Sequence, residues 1–247
     1  MLKDIFSSIR MYFKAFGLIS ELKLWSYFII PIIISIVTAV TIGSIAYFFS
    51  DNLGSLISNF WIWDWGKSTF SSVSNFLSGL FMIVIGLILF KHIILALSSP
   101  FMSPVSEKIA RFILKNDDYK SQNTSFLQQL WRGVLINGRN LIMELLLTIP
   151  LLILKFIPVV NLFSTALIFL IQAYYAGFGN MDYTLERYFK YKKSIDFIRK
   201  HRGLAIGNGI VFMLCLFIPV LGIILVLPLS VTAASVKTIE ALSEEEL

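Results

Sequence analysis

The tetrapeptide Phe-Ile-Pro-Val occurs twice, as Phe156 to Val159 and as Phe217 to Val220, each time in the middle of a long apolar stretch and shortly before Asn161 or Gly222. A proline and a turn stop a helix. At bilayer depth such a break exposes backbone polar groups that lipid cannot satisfy, so they must face another helix or a water-filled cavity. Paired breaks in two similar apolar segments point to a transport site at the turns. The setting is a membrane: 57% of residues are hydrophobic and 15% charged, with mean hydropathy +0.79, against about 45–50% and about 25% in ordinary soluble domains. The expected fold class is an all-α integral membrane protein with two long transmembrane helices, two helical, hemi-penetrating hairpins and amphipathic surface helices.

The chain divides accordingly as a single membrane domain over 1–247. Residues 1–23 predict an amphipathic helix lying on the membrane, with Ile5, Phe6, Ile9, Phe13 and Phe16 at helical spacing and Lys3, Arg10 and Lys14 elsewhere on its surface. Leu24 to Phe49 reads as the first span, about 39 Å as helix, with room for a bend at Pro31. The polar stretch 50–75 is read as a loop whose Trp61, Trp63 and Trp65 form an interfacial belt. The second span, 76–97, ends at Lys91-His92 and the breaker Ser98-Ser99-Pro100. Over 101–140 two cytoplasmic amphipathic helices are expected, the first opened by Ser103 as N-cap with Pro104 at N1. A polar turn from Asn116 to Ser125 joins them. The hairpins are 141–179, turning at Pro158 to Asn161, and 204–236, turning at Pro219 to Gly222, with a basic cytoplasmic loop over 181–203 between them. Arms of about 22 Å enter and return without crossing, although the longer arms of 141–179 also allow two thin spans.

Charge sets the orientation. Of 21 Lys and Arg only Lys67 lies in 50–75, whereas 181–203 carries Arg187, Lys190, Lys192, Lys193, Arg199, Lys200 and Arg202. The 50–75 segment is therefore expected outside, and both termini in the cytoplasm. These cations flank apolar runs instead of forming one face, which argues against nucleic acid as a partner. One cysteine, Cys215, and two histidines, His92 and His201, offer no disulfide framework and no metal-ligand spacing. Neither a nucleophile elbow nor a P-loop is present, so no enzyme activity and no cofactor are expected. The first apolar run is too long for a cleavable signal peptide and is expected to remain as a helix. Gly203, Gly207 and Gly209 around Asn208 are read as sites of close helix packing.

The candidate anion-binding residues lie at the turns. Pro158 and Pro219 suit the first helical position of each returning arm, so two helix N-termini with free N–H groups would point into the membrane and attract an anion. Lys155, one turn before Pro158, adds a full charge at that depth, and Asn161 a polar side chain. Lys155 is equally suited to snorkel or to pair with a carboxylate such as Glu144. Gln172 is read as a packing hydrogen bond, and Lys91-His92, near a helix end, as snorkelling and complementing the helix dipole.

This order of parts resembles the CysZ-like sulfate permeases, grouped with the etoposide-induced membrane proteins. The likeness rests on the N-terminal helix leading to Leu24 and Pro31, Pro100-Phe101 followed by Glu107, Phe156-Ile157-Pro158, Asp182-Tyr183, Ile218-Pro219 with Pro228, and Thr232-Ala233-Ala234. The resemblance implies sulfate uptake for sulfur assimilation, a bacterial inner membrane, hemi-penetrating hairpins and a homo-oligomer. It also implies an anion-binding Gly-Leu-Arg-Arg loop before the first long helix. Here that stretch is Lys23-Leu24-Trp25-Ser26, where Leu24 matches and Lys23 supplies the only cation. The expected function is thus a membrane anion permease or channel with sulfate as first candidate, its partners an inorganic anion, the lipid bilayer and further copies of itself. The alternative is a non-transporting membrane scaffold or envelope-organising protein of the same fold, acting through its basic cytoplasmic segments.

Overall fold

A computed structural model describes residues 1–59, 66–115, 124–155, 157–218 and 221–245. Trp61, Trp63, Trp65 and Pro219, and most of the polar turn between Asn116 and Ser125, lie outside these residues. Among the described residues every regular element is helical, in the order α1 (Leu2–Glu21), α2 (Trp25–Ser58), α3 (Lys67–Leu97), α4 (Ser99–Leu114), α5 (Phe126–Leu154), α6 (Pro158–Leu185), α7 (Tyr191–Lys200), α8 (Arg202–Leu216) and α9 (Leu221–Glu245).

Helices α2 and α3 pack along each other as a long hairpin. Their 34 and 31 residues amount to about 51 and 46 Å, well beyond a hydrocarbon core of about 30 Å. The expected 50–75 loop is thus mostly helix. A polar side chain is compatible with this where it bonds back to its own helix, as the Ser72 hydroxyl does to the Ser68 carbonyl at 3.0 Å.

At Ser98 the chain turns by 64° from α3 into α4. Ser103 is not the N-cap of α4, and Pro104 is not at its start. The sequence offers two Ser-Pro starts, and the earlier one is used: Pro100 occupies the first turn, where its missing N–H is no loss. Pro104 sits one turn later, inside the helix. The second amphipathic helix does not stop at 140. It opens with a capping box, Ser125 accepting from the Gln128 N–H and Gln128 accepting from the Ser125 N–H. With no breaker at 141 it runs unbroken to Leu154 as α5.

In the first hairpin α5 ends at Leu154 and α6 starts at Pro158, so Pro158 is already at the start of α6 and Asn161 in its first turn. In the second α8 ends at Leu216 and α9 starts at Leu221, so Gly222 belongs to α9. A Cβ at Gly222 would lie 2.2 Å from the Cys215 carbonyl oxygen, which is why glycine stands at this tight return. The segment expected as a 181–203 loop holds the end of α6, the whole of α7 and the start of α8.

Among the described residues four helical stretches are long and apolar enough to cross a membrane, Trp25–Phe49, Phe126–Leu154, Val160–Leu185 and Ile224–Glu245, and the bent pair Ile85–Leu97 with Ser99–Leu114 makes a fifth if it is one span. Helix α8, with 15 residues, reaches about 22 Å and falls short. Burial orders the layers. The apolar window of α9 is 72% buried and that of α2 only 22%, so α9 is central and α2 peripheral. The main core joins Leu24 just before α2, Phe28 of α2, Ile94 and Leu95 of α3, Met102 and Ile109 of α4, and Phe212 and Val231 of the second hairpin. Outward from it, Ile33, Val37 and Val40 on α2 and Leu146, Ile153 and Phe163 on the first hairpin are exposed. In a soluble domain such a surface would aggregate; in a bilayer it is the lipid contact.

Candidate functional site

Two glycines let α6 and α8 meet backbone to backbone. A Cβ at Gly209 would lie 1.7 Å from the Ala173 carbonyl oxygen, and one at Gly177 1.9 Å from that of Ala205. The packing reading of the glycine-rich start of α8 therefore matches the contact at Gly209. Polar groups lock the same junction. Asn180 donates to the Asn208 side chain at 2.8 Å, Asn208 donates to the Ser230 carbonyl at 2.9 Å, and the Tyr12 hydroxyl donates to the Asn208 carbonyl at 2.7 Å. Four helices, α1, α6, α8 and α9, are tied by this one chain of bonds.

A charged layer lies beside it. Arg132 of α5 forks onto Asp182 of α6 at 2.9 and 3.0 Å, and reaches the Phe189 carbonyl and the Ser194 hydroxyl. Arg187 pairs with Glu107 at 3.2 Å and donates to the carbonyl and hydroxyl of Ser103. Ser103, expected to cap a helix, is instead an acceptor in this layer. Burial pushes the neighbouring Glu186 carboxyl up to about 7, partly offset by a Ser103 hydrogen bond and the nearby arginines.

The most buried ionic group was not anticipated. Lys91 of α3 meets Glu144 of α5 at 2.7 Å, and His92 meets the other Glu144 oxygen at 3.1 Å, all three side chains being 3% exposed or less. Lys91 also approaches the Gln172 carbonyl of α6 at 3.4 Å. Thus Lys91 does not snorkel, and Glu144 is taken by Lys91 and His92 instead of Lys155. The signal was available: Glu144 is the single carboxylate of 141–179, and Lys91 the single lysine of 76–97. Charges at such depth are expected to find each other.

The sequence-derived candidates occupy two ends of the bundle. Lys23 is exposed in the α1–α2 turn at φ +52°, a left-handed conformation that a glycine adopts without strain. Lys23 stands where the resembled anion-binding loop has its glycine, and Trp25 and Ser26 stand where it has its arginine pair. Leu24, the next residue, belongs to the same buried cluster as Ile94 and Leu95 near the end of α3. Near that level α5 crosses the α3–α4 corner at Gly133, against Ser99 and the Ala96 carbonyl. Lys155 follows Gly133 by about 33 Å of helix. It closes α5, half-buried, and makes no ion pair among the described residues. Helix α6 then starts at Pro158 with no side-chain cap, and Asn161 is exposed, accepting from the Thr165 hydroxyl. No hydrogen bond or ion pair among the described residues links Lys23 to Lys155 or Asn161. Glu144 lies about midway between the Gly133 crossing and Lys155.

No curated protein matches the chain. A family model described as sulfate transporter CysZ/etoposide-induced protein 2.4 matches residues 11–226, from within α1 to α9. With most of its length matched, and with apolar helices built around buried charge, the chain belongs to the sulfate transporter CysZ/etoposide-induced protein 2.4 family.

Proposed function

We propose that this protein is a membrane anion permease or channel, with sulfate as the first candidate substrate, acting as a homo-oligomer in a bacterial inner membrane with both termini in the cytoplasm. In this reading α2 and α3 span the bilayer and the short α8 re-enters with α9 as a hemi-penetrating hairpin. The observation that carries the proposal is the tip of the α5–α6 hairpin. There a helix N-terminus lacking any side-chain cap follows the Lys155 ammonium by one turn, at the far end of two apolar helices. Free N–H groups, the positive end of the helix dipole and a full positive charge converge on one place, which favours an anion over a cation. Lys23 at the opposite end would receive or release it. Sulfur assimilation is the role that family membership supports.

The test is radiolabelled sulfate uptake into liposomes holding the purified protein, with sulfite, chloride and phosphate as competitors. Sulfate flux is expected, and Lys155→Ala is expected to cut it about tenfold, the worth of roughly 1.4 kcal/mol of anion stabilisation. Unchanged flux in folded Lys155→Ala removes the residue from the route. No flux for any anion in the inserted wild type removes the permease reading and leaves a scaffold.

A further inference from the structure

A second amphipathic site lies away from the hairpin tip, where α7 meets α8. A cleft of about 530 Å³ opens there. One wall is apolar, formed by Leu147 of α5, Leu167 and Leu170 of α6, and Ile206 of α8. The leucines are 40% exposed or more, so the groove is open to the lipid. At its other end stand Arg199, which lies in the last turn of α7, and Arg202, the first residue of α8. Arg139 of α5 lies outside the lining, its guanidinium 5.5 Å from the centre of the Phe178 ring, one turn from Tyr174 on α6. The Tyr174 and Tyr175 rings stack edge to face at 5.0 Å at the junction of the apolar and basic halves.

Counter-charge at the cleft is thin. Asp196 approaches Arg199 at 3.9 Å, with both side chains largely exposed. Arg202 has no ion pair among the described residues, and Arg139 bonds only to the neutral Asn140 and leans over the Phe178 ring. Planar guanidinium groups suit phosphate oxygens, which they grip through two N–H groups at once. Paired tyrosines suit the boundary between water and hydrocarbon. An apolar trough running from that boundary along α5, α6 and α8 suits an acyl chain. A free oxyanion would need only the arginines and would leave the trough unexplained.

We propose that this cleft binds an anionic phospholipid, with the phosphate on Arg199 and Arg202 and an acyl chain along Leu147, Leu167 and Leu170. Basic pockets between membrane helices recognise lipid headgroups in this way, at about 1 kcal/mol per cation. The site is independent of the anion route, because it shares no residue with Lys23, Lys155 or Asn161.

The test is native mass spectrometry of the full-length protein in neutral detergent, titrated with phosphatidylglycerol, phosphatidylcholine or inorganic phosphate. Wild type is expected to retain phosphatidylglycerol in preference to phosphatidylcholine. Arg199→Gln/Arg202→Gln should weaken that retention roughly 30-fold, the product of two such cation contributions. Lys192→Gln/Lys193→Gln, which removes the same charge from exposed positions of α7 outside the cleft, should change it by less than about twofold. Leu170→Trp, which fills the trough and leaves the charges in place, should weaken it as well. Equal retention by wild type and the double arginine variant overturns the proposal, as does equal weakening by the lysine control. If inorganic phosphate displaces the lipid at matched concentration and Leu170→Trp has no effect, the cleft is a free-anion site and the lipid assignment falls. If the arginine variant keeps its lipid but loses a dimer, the cleft seats a second copy.

Discussion

Glu144 carries two opposite partners inside the apolar bundle, and its removal tests how ionic groups survive there. Glu144→Leu leaves the Lys91 ammonium buried without a counter-ion and is expected to cost about 3–5 kcal/mol. Lys91→Met/Glu144→Leu removes both charges and should recover most of that loss. Thermal unfolding in detergent decides: a double variant destabilised by the sum of the Lys91→Met and Glu144→Leu losses would mean the pair is not coupled. Glu186 gives a pH signature. Its carboxyl sits at about 7 in the folded protein, above the ordinary 4.5, so the folded state holds a proton that the unfolded chain releases. Its contribution to stability is fully present below about 4.5 and is lost as pH rises through 7, by on the order of 3 kcal/mol. Glu186→Gln should flatten this decline, so that the variant loses less stability than wild type between about pH 5 and about pH 8.

Helices meet at different distances, and their glycines report which contacts are closed. Gly209 leaves no room for a methyl group against the Ala173 carbonyl, so Gly209→Ala must push α6 from α8 and is expected to cost about 1–3 kcal/mol. Gly43, in the middle of α2, has nothing near its Cβ position. There Gly43→Ala should stabilise by about 0.5–1 kcal/mol through helix propensity alone. Melting temperatures moving in opposite directions would confirm the contrast, and a neutral Gly209→Ala would refute backbone-to-backbone packing. The glycine spacing around Asn208 pointed to close packing at Gly209, but the sequence holds no measure of how near the facing helix comes. The polar stretches 50–75 and 181–203, read as loops, hold helix as well, whereas the helices of the apolar segments were legible because apolar period and proline position are local properties. Element ends were not: Ser99-Pro100 and Ser103-Pro104 offer equivalent starts, and α5 passes 140 because no local breaker stops it.

Across the whole molecule, the asymmetry of Lys and Arg sets a topology that can be read directly. A fluorescent protein fused after Leu247 is expected to fold and fluoresce, and alkaline phosphatase fused there is expected to be inactive, since positive segments stay on the cytoplasmic side. Phosphatase activity at that fusion would invert the orientation and with it the face on which Lys23 lies. The layered burial, with α9 inside and α2 outside, makes the chain one packed bundle instead of a row of independent spans.

Composition and periodicity by themselves determined that this chain is helical, that it lives in lipid, that α1 is amphipathic and that a helix restarts at Pro158. Each follows from neighbours within a few residues, through side-chain transfer energy and backbone geometry. Only the tertiary structure decided that Glu144 faces Lys91 and His92 and leaves Lys155 without an ion pair among the described residues. It also decided that Ser103 serves Arg187, and that Arg199 and Arg202 stand at the mouth of an apolar trough. Such pairings join residues from different helices, where the low dielectric makes any one partner acceptable in principle and helix packing alone selects among them.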